Sequence, residues 1–299
     1  MNDSVLWREL MENYIIVTDS TCDLPIEYTQ ANNVKILWLS CILDGETYGA
    51  DKYLEPSVLY EKIRKGAMPS TSQVNPDEAK KVFDELLKEY SAILYIGFSS
   101  GLSGTYQSAV IAKNEILDEN PDAKIYTIDS LCASLGEGLL VNKAVENKNN
   151  GMSIEDNYKS IENQKLNLCH LFTVDDLFHL QRGGRVSKTT AIVGTVVGIK
   201  PLLHVDNEGK LVSVGKCRGR KKSLTWLVDT MESKMGSFKD KNKCVFISHG
   251  DCYEEAAFVA DEIKNRFGIE DILINYCGAV IGSHSGPGTM AVFFFADER

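Results

Sequence analysis

The sequence has no long hydrophobic run and no excess of positive charge. Its longest apolar stretches, such as residues 191–199 and 291–295, are far shorter than the roughly 20 residues that cross a bilayer. Residues 1–14 are charged and lack the continuous apolar core of a signal peptide. Lysine and arginine number 32 against 42 aspartates and glutamates, and the net charge of −10 argues against nucleic-acid binding. We therefore expect a cytoplasmic protein with no integral membrane segment and no nucleic-acid partner.

The common signatures of metal, redox and nucleotide sites are also missing. The eight cysteines never occur as C-x-x-C, and no cysteine–histidine cluster has the spacing of zinc ligands. Reduced and mostly buried thiols are expected instead. No Walker A sequence is present, and no G-x-G-x-x-G follows a strand. These absences predict a protein without a metal site or a cofactor.

Strand-like and helix-like segments alternate along the chain, which predicts an α/β fold. Residues 14–18, 34–43, 92–96 and 124–128 have the pattern of strands, and residues 135–148 and 153–164 that of helices. A second set follows, with a hairpin around residues 206–209. We expect an N-terminal extension (1–13) and two α/β lobes of similar size (14–165 and 166–299), with no low-complexity linker between them.

Residues 92–109 carry the strongest local signal. An apolar run is followed by Ser99, Ser100, Gly101, Ser103 and Gly104, and then by a segment with helical spacing. Small hydroxyls and glycines at a strand-to-helix turn let backbone N–H groups approach an anion, and the helix N-terminus adds partial positive charge. This segment therefore predicts a site for a phosphate, a carboxylate or an oxyanion.

The same segment also matches G-x-S-x-G, the nucleophile elbow of α/β-hydrolases, from Gly97 to Gly101. A serine hydrolase or acyltransferase using Ser99 is thus an alternative, with His249 or His284 as the base. Against it, Gly101 and Gly104 prolong the loop where a hydrolase helix begins directly, and no HGGG-type segment lies upstream. Bound lipid without ester turnover would exclude this alternative.

Histidines and two basic clusters supply further candidates. His284 lies in a Gly/Ser-rich stretch, which predicts a loop and a polar or ligand-facing role, whereas His170, His179 and His204 are predicted to be structural. The basic loop 182–188 and the cluster 216–222 are unusual in an acidic protein. They fit an anion site or an acidic partner, although such runs are commonly solvated surface.

These segments, in this order, resemble the DegV family of bacterial fatty-acid-binding proteins, which serve as acyl carriers for a fatty acid kinase. The resemblance runs from about Tyr14 to the C-terminus. The matching pieces are Val17-Thr18-Asp19-Ser20-Thr21 with Leu24-Pro25, Thr71-Ser72-Gln73, residues 99–109, Asp129-Ser130, residues 183–187, Lys200-Pro201-Leu202-Leu203, Lys216 with Arg218, and His284 with Gly286 and Gly288.

The resemblance implies two α/β lobes with an acyl chain buried between or beside them and no catalysis by this chain itself. It implies that Thr71, Ser103 and His284, with Ser100 as a further candidate, bind the carboxylate of a long-chain fatty acid. It also implies that Arg185 and Arg218 face the partner kinase and the phosphoryl group. One departure is visible: proline does not follow Thr71-Ser72-Gln73 directly, because Val74 stands there.

Overall fold

A computed structural model describes residues 13–187 and 198–299 as a mixed α/β protein built on three sheets. The strands of the first sheet are β1 (Tyr14–Asp19), β2 (Val34–Leu37), β6 (Ala92–Gly97) and β7 (Lys124–Asp129). This sheet is fully parallel in the order β2-β1-β6-β7, and every residue of the two central strands β1 and β6 is buried, as expected of strands covered on both faces.

The second sheet is small and antiparallel, with the order β4-β3-β5. Its strands are β3 (Ser40–Leu43), β4 (Glu46–Tyr48) and β5 (Ser70–Ser72). The predicted single strand over residues 34–43 is wrong, because β2 and β3 belong to different sheets. Leu39 N–H donates to Ser20 Oγ at 3.0 Å, so the chain leaves the parallel sheet there. Alternating burial continues across the break, and for this reason the sequence pattern does not reveal it.

The third sheet has the order β10-β9-β8-β13-β11-β12 and is antiparallel except for the β11–β12 pair. The predicted hairpin is confirmed by the β9–β10 pair. Its strands are β8 (Leu168–Thr173), β9 (Ile199–Val205), β10 (Leu211–Arg218), β11 (Cys244–His249), β12 (Asp271–Tyr276) and β13 (Met290–Phe295).

Helices cover the sheets and connect their strands. They are α1 (Ile26–Ala31), α2 (Pro56–Arg64), α3 (Pro76–Leu86), α4 (Thr105–Glu119), α5 (Leu135–Asn149), α6 (Ile154–Gln164), α7 (Phe178–Arg182), α8 (Arg220–Met235), α9 (Tyr253–Phe267) and α10 (Ala279–Ser285). None of the helices within the described ranges is long and apolar enough to cross a membrane.

Helix α5 joins the two large sheets. It contacts β1 and β6 of the parallel sheet and β8, β11 and β13 of the six-stranded sheet. Its sequence contains glycines where neighbours approach closely: a Cβ on Gly138 would lie 2.7 Å from the carbonyl oxygen of Cys22. One hydrophobic cluster therefore runs through both halves of the molecule. The division at residue 165 stays a prediction, although the six-stranded sheet begins just after it.

Candidate functional site

A cavity of about 330 Å³ lies where the three sheets meet. Its walls are mostly apolar, and one end carries four polar side chains from four separate segments: Thr71, Ser103, Arg185 and His284. Thr71 lies on β5, Ser103 precedes α4, Arg185 follows α7, and His284 lies near the end of α10. The apolar walls include Leu39, Phe98, Leu102, Phe172, Leu211 and Phe293.

Thr71 and His284 are joined by a short hydrogen bond, with Thr71 Oγ1 2.7 Å from His284 Nε2. The predicted loop around His284 is wrong: the residue lies in the last turn of α10, which ends at Gly286 with φ 77°. The glycines and serines around His284 predicted a loop, but in the structure they allow α10 to pack closely against α2. A Cβ on Gly282 would lie 2.5 Å from the hydroxyl of Tyr60 on α2.

His284 is held neutral at physiological pH. Burial, together with the nearby positive charges of Arg185 and Arg182, lowers the pKa of its imidazole to about 4. A neutral imidazole has one donor and one acceptor nitrogen. Nε2 is hydrogen-bonded to Thr71, while Nδ1 is buried and has no hydrogen-bond partner among the residues that the structure describes.

Two glycines allow the segments to meet. A Cβ on Gly183 would lie 2.1 Å from His284 Nδ1, so only glycine permits the basic loop to approach the imidazole. A Cβ on Gly104 would lie 2.3 Å from Gln73 Oε1, and Gln73 donates from Nε2 to Ser108 Oγ at 3.1 Å. Gln73 therefore fixes the segment of Thr71 against the segment of Ser103.

The structure brings Ser103, but not Ser100, to the cavity. Ser103 Oγ accepts from the N–H of Thr105 at 3.2 Å, which places its hydroxyl at the start of α4 as well as in the cavity wall. The carbonyl of Ser99 accepts from the N–H groups of Leu102 and Ser103, which forms a turn. Ser100 is on the exposed side of this turn, and its N–H donates to Asp129.

Arg185 in the cavity wall and Arg182, whose charge also acts on His284, are oriented by backbone carbonyls. Arg185 donates from Nε to Leu102 O at 3.2 Å and also to Gly183 O. Arg182 donates to Pro69 O at 2.9 Å and to Ser283 O at 3.1 Å. Within residues 13–187 and 198–299, no carboxylate pairs with either guanidinium. Their positive charge therefore stays available to an anion in the cavity.

Arg218 occupies a different setting from Arg185. It is exposed on the edge strand β10, in register with Ile199, and it does not line the cavity. Lys188, at the end of the predicted basic loop, lies outside the described residues. The structure thus separates the two predicted partner-facing arginines into one cavity residue and one surface residue.

The Ser99 hydroxyl is hydrogen-bonded to backbone groups and not to a histidine that could act as a base. Its hydroxyl is fully buried, donates to Gly209 O at 2.8 Å and accepts from Gly101 N–H at 3.1 Å. None of the described histidines hydrogen-bonds to it: His284 contacts Thr71, and His249 Nδ1 accepts from Cys252 N–H. The Ser–His pair that an α/β-hydrolase needs is not assembled.

Sequence reasoning missed His170 as a cavity residue. It is 1% exposed, its Nε2 accepts from Ala133 N–H at 3.3 Å, and burial keeps its pKa well below 6.5. Period-2 alternation in β8 places His170 on the same face as Phe172, which also lines the cavity. That alternation was the available signal.

The fold and the site define an α/β protein with a mostly apolar cavity whose polar lining supplies hydrogen-bond donors and positive charge. A family model described as "Uncharacterised protein, DegV family" matches residues 13–297. A DegV domain-containing protein from Clostridium perfringens is 44% identical over 97% of this chain and 99% of its own length. The chain belongs to the DegV family.

Solved structures support the same assignment. A DegV family protein from Thermus thermophilus, described by its fatty acid binding, has a TM-score of 0.84 at 30% identity and covers 95% of this chain and 99% of its own. DegV from Bacillus subtilis, described as a fatty acid binding protein, has a TM-score of 0.82 at 32% identity and covers 96% of this chain and 100% of its own. The predicted fold class is confirmed.

The depressed pKa of His284 predicts a pH dependence of stability. Because the folded pKa of about 4 lies below the unfolded value of 6.5, stability from this group is present above pH 6.5 and is lost as pH falls towards 4. We expect His284→Gln to lessen the acid loss by about 1–3 kcal/mol, measured by urea unfolding of lipid-free protein from pH 7 to pH 4. Identical pH profiles for both proteins would show that His284 titrates normally.

Proposed function

We propose that this chain binds a long-chain fatty acid in the cavity, with the carboxylate at Thr71, Ser103 and His284. The observation that carries the proposal is the hydrogen-bonded Thr71–His284 pair in the wall of a mostly apolar cavity, beside Arg185, which has no carboxylate partner among the described residues. Two structural relatives at 30% and 32% identity are described as binding fatty acids, which supports the same ligand here.

The donors at the cavity end suit a carboxylate. Thr71 and His284 hold two protons between them, and their mutual hydrogen bond uses one. If Thr71 donates to Nε2, the proton on Nδ1 remains; if Nε2–H donates, the hydroxyl proton of Thr71 remains. Because Nδ1 is buried against Gly183, the second tautomer is the one that leaves a donor, the Thr71 hydroxyl, for a ligand, and the Ser103 hydroxyl adds another.

The acyl chain supplies most of the affinity in this proposal. Each buried methylene contributes about 0.8 kcal/mol, whereas a hydrogen bond to a charged group contributes about 1.5–3 kcal/mol. Part of the total is lost on immobilising the ligand. The apolar walls therefore hold the ligand, and the polar end fixes its direction.

We further propose that the bound carboxyl group is presented to a separate bacterial fatty acid kinase that brings ATP, in the cytoplasm. In this scheme the chain performs no catalysis and needs no cofactor. Arg185 would stabilise charge at the head group, and the exposed Arg218 would contact an acidic surface of the kinase. The role of Ser99 as a hydrogen-bond donor to Gly209 supports a carrier over a hydrolase.

The first experiment asks whether the purified protein carries lipid. We expect organic extraction and mass spectrometry to find fatty acid, and we expect the lipid-free protein to melt at a lower temperature until fatty acid is added back. A ligand that binds only the folded state stabilises it by RT ln(1 + [L]/Kd). No change of melting temperature with saturating fatty acid would contradict the proposal, and ester turnover abolished by Ser99→Ala would favour the hydrolase.

The second experiment tests the carboxylate contacts. We expect Thr71→Val and Ser103→Ala each to weaken fatty acid binding by about tenfold, because a hydrogen bond to a charged group is lost. Ser70→Ala is the matched control, since Ser70 is an exposed hydroxyl on the same strand outside the cavity wall. Isothermal titration and thermal unfolding are measured on each variant. Reduced stability with unchanged affinity would show that these hydroxyls serve the fold alone.

The third experiment separates the two arginines in a reconstituted kinase assay. We expect Arg218→Ala to slow phosphorylation severalfold at low salt with fatty acid affinity unchanged, because a surface charge steers association. Arg185→Ala should weaken both phosphorylation and fatty acid binding. The control is Lys239→Ala, an exposed cation next to the short helix after α8. Normal phosphorylation of the Arg218 variant at every salt concentration would mean that the kinase binds elsewhere.

A further inference from the structure

Two carboxyl groups are buried next to each other, close to the segment 98–104 that carries Ser103. Asp19 ends β1 and Glu137 lies in α5, and both are 0% exposed. Thr21 links them, because its Oγ1 lies 2.5 Å from Asp19 Oδ1 and 2.9 Å from Glu137 Oε2. In the part of the chain that the structure describes, no lysine, arginine or histidine pairs with either group. Two adjacent buried charges without a counterion are strongly unfavourable, so one group must hold a proton.

The hydrogen bonds to Asp19 favour it as the ionised group. Its Oδ1 accepts from Thr21 N–H at 3.1 Å, and its Oδ2 accepts from Phe98 N–H at 2.9 Å and from the Tyr95 hydroxyl at 3.0 Å. Backbone N–H groups can only donate. Both oxygens of Asp19 therefore act as acceptors, and a proton on either one would compete with these donors.

Glu137 has the opposite surroundings, because within the described residues its carboxyl group is hydrogen-bonded by hydroxyls and by no N–H group. Thr18 Oγ1 donates to Glu137 Oε1 at 2.7 Å. The single hydroxyl proton of Thr21 is used in its shorter contact, with Asp19. Glu137 Oε2 would then face a lone pair of Thr21 at 2.9 Å unless Oε2 itself carries a proton and donates it. With that proton in place, the Thr21 hydroxyl accepts from Glu137 and donates to Asp19.

We propose that Glu137 is a buried neutral carboxylic acid, and that the chain Glu137–Thr21–Asp19 positions the cavity segment 98–104. The path to the ligand is short: Asp19 holds the N–H of Phe98, which lines the cavity, and five residues later the same segment presents Ser103. Asp19 and Glu137 touch no ligand and act through this segment. Burial and the charge of Asp19 both raise the pKa of Glu137, in agreement with the donor count.

The proton's location is tested with a pair of isosteric variants. In Glu137→Gln the amide nitrogen donates to Thr21 and the amide oxygen accepts from Thr18, so the pattern survives. In Asp19→Asn the amide N–H groups point at other donors, so the pattern breaks. Had the proton been on Asp19, the two outcomes would be reversed. Glu137→Leu removes the donor and the acceptor together, and Glu137→Gln serves as its conservative rescue.

We expect lipid-free Glu137→Gln to keep the wild-type urea midpoint, while Asp19→Asn and Glu137→Leu unfold at lower urea. The influence on the site rests on the proposed fatty acid binding: palmitate affinity should stay within about twofold for Glu137→Gln and fall about tenfold or more for Asp19→Asn. A failure of Asp19→Asn to fold, with Glu137→Gln folded, supports the same proton location. Equal damage from both isosteric variants would overturn it.

Infrared spectroscopy detects the proton on Glu137 directly, which a test of stability alone does not. At pH 7 the difference spectrum between lipid-free wild type and Glu137→Gln should contain the C=O band of a protonated carboxyl group. Absence of that band would overturn the proposal even if both variants fold. Because this measurement and the urea midpoints use lipid-free protein, they remain decisive if the proposed fatty acid binding itself fails.

Discussion

The hydrogen bond between Thr71 and His284 joins residues 213 positions apart, and the polar end of the cavity depends on it. Thr71 lies on a three-residue edge strand, and His284 lies on a seven-residue helix. Neither element is long enough to be stable alone. Each is fixed by packing on the other, with Cys41 Sγ 3.4 Å from Ser283 Oγ beside the same contact. The site therefore exists only in the complete tertiary structure.

Close backbone approaches make this assembly possible. Gly183 meets the imidazole of His284, and Gly104 meets the amide of Gln73 at distances that no Cβ would allow. A glycine loses more conformational entropy on folding than any other residue. This entropic cost falls at two positions, Gly183 and Gly104. They are the points where the basic loop and the Ser103 segment approach the Thr71–His284 pair, so that the polar side chains of the cavity lie close together.

Local pattern predicted the parts of the fold that local interactions determine. The strand and helix of residues 92–109, the hairpin around residue 207 and helices α5 and α6 follow from periodicity and turn residues. The sheet change after Leu37 does not, because the side-chain alternation continues through it. The helix that carries His284 was hidden for a similar reason: its small residues serve packing against Tyr60, and small residues are also typical of loops.

The candidate site was partly predictable through the family resemblance. Thr71, Ser103 and His284 come together as the resemblance implies, whereas Ser100 is turned outward by the turn at Ser99. The G-x-S-x-G pattern was misleading because it describes a short peptide and not the partner of its hydroxyl. Ser99 donates to the hairpin carbonyl of Gly209, a residue 110 positions away that no local pattern identifies. His170 was missed because the alternation of side chains along β8 predicts on which face of the sheet His170 lies, but does not predict that a cavity lies on that face.

The positive charge near His284 depends on which groups accept hydrogen bonds from Arg182 and Arg185. Arg182 and Arg185 could have been oriented by carboxylates, which would have cancelled their charge. They are oriented by the carbonyls of Pro69, Ser283, Leu102 and Gly183 instead. Carbonyl dipoles fix the guanidinium planes and leave a net positive field. That field helps to keep His284 neutral, and it makes the cavity wall suited to an anion.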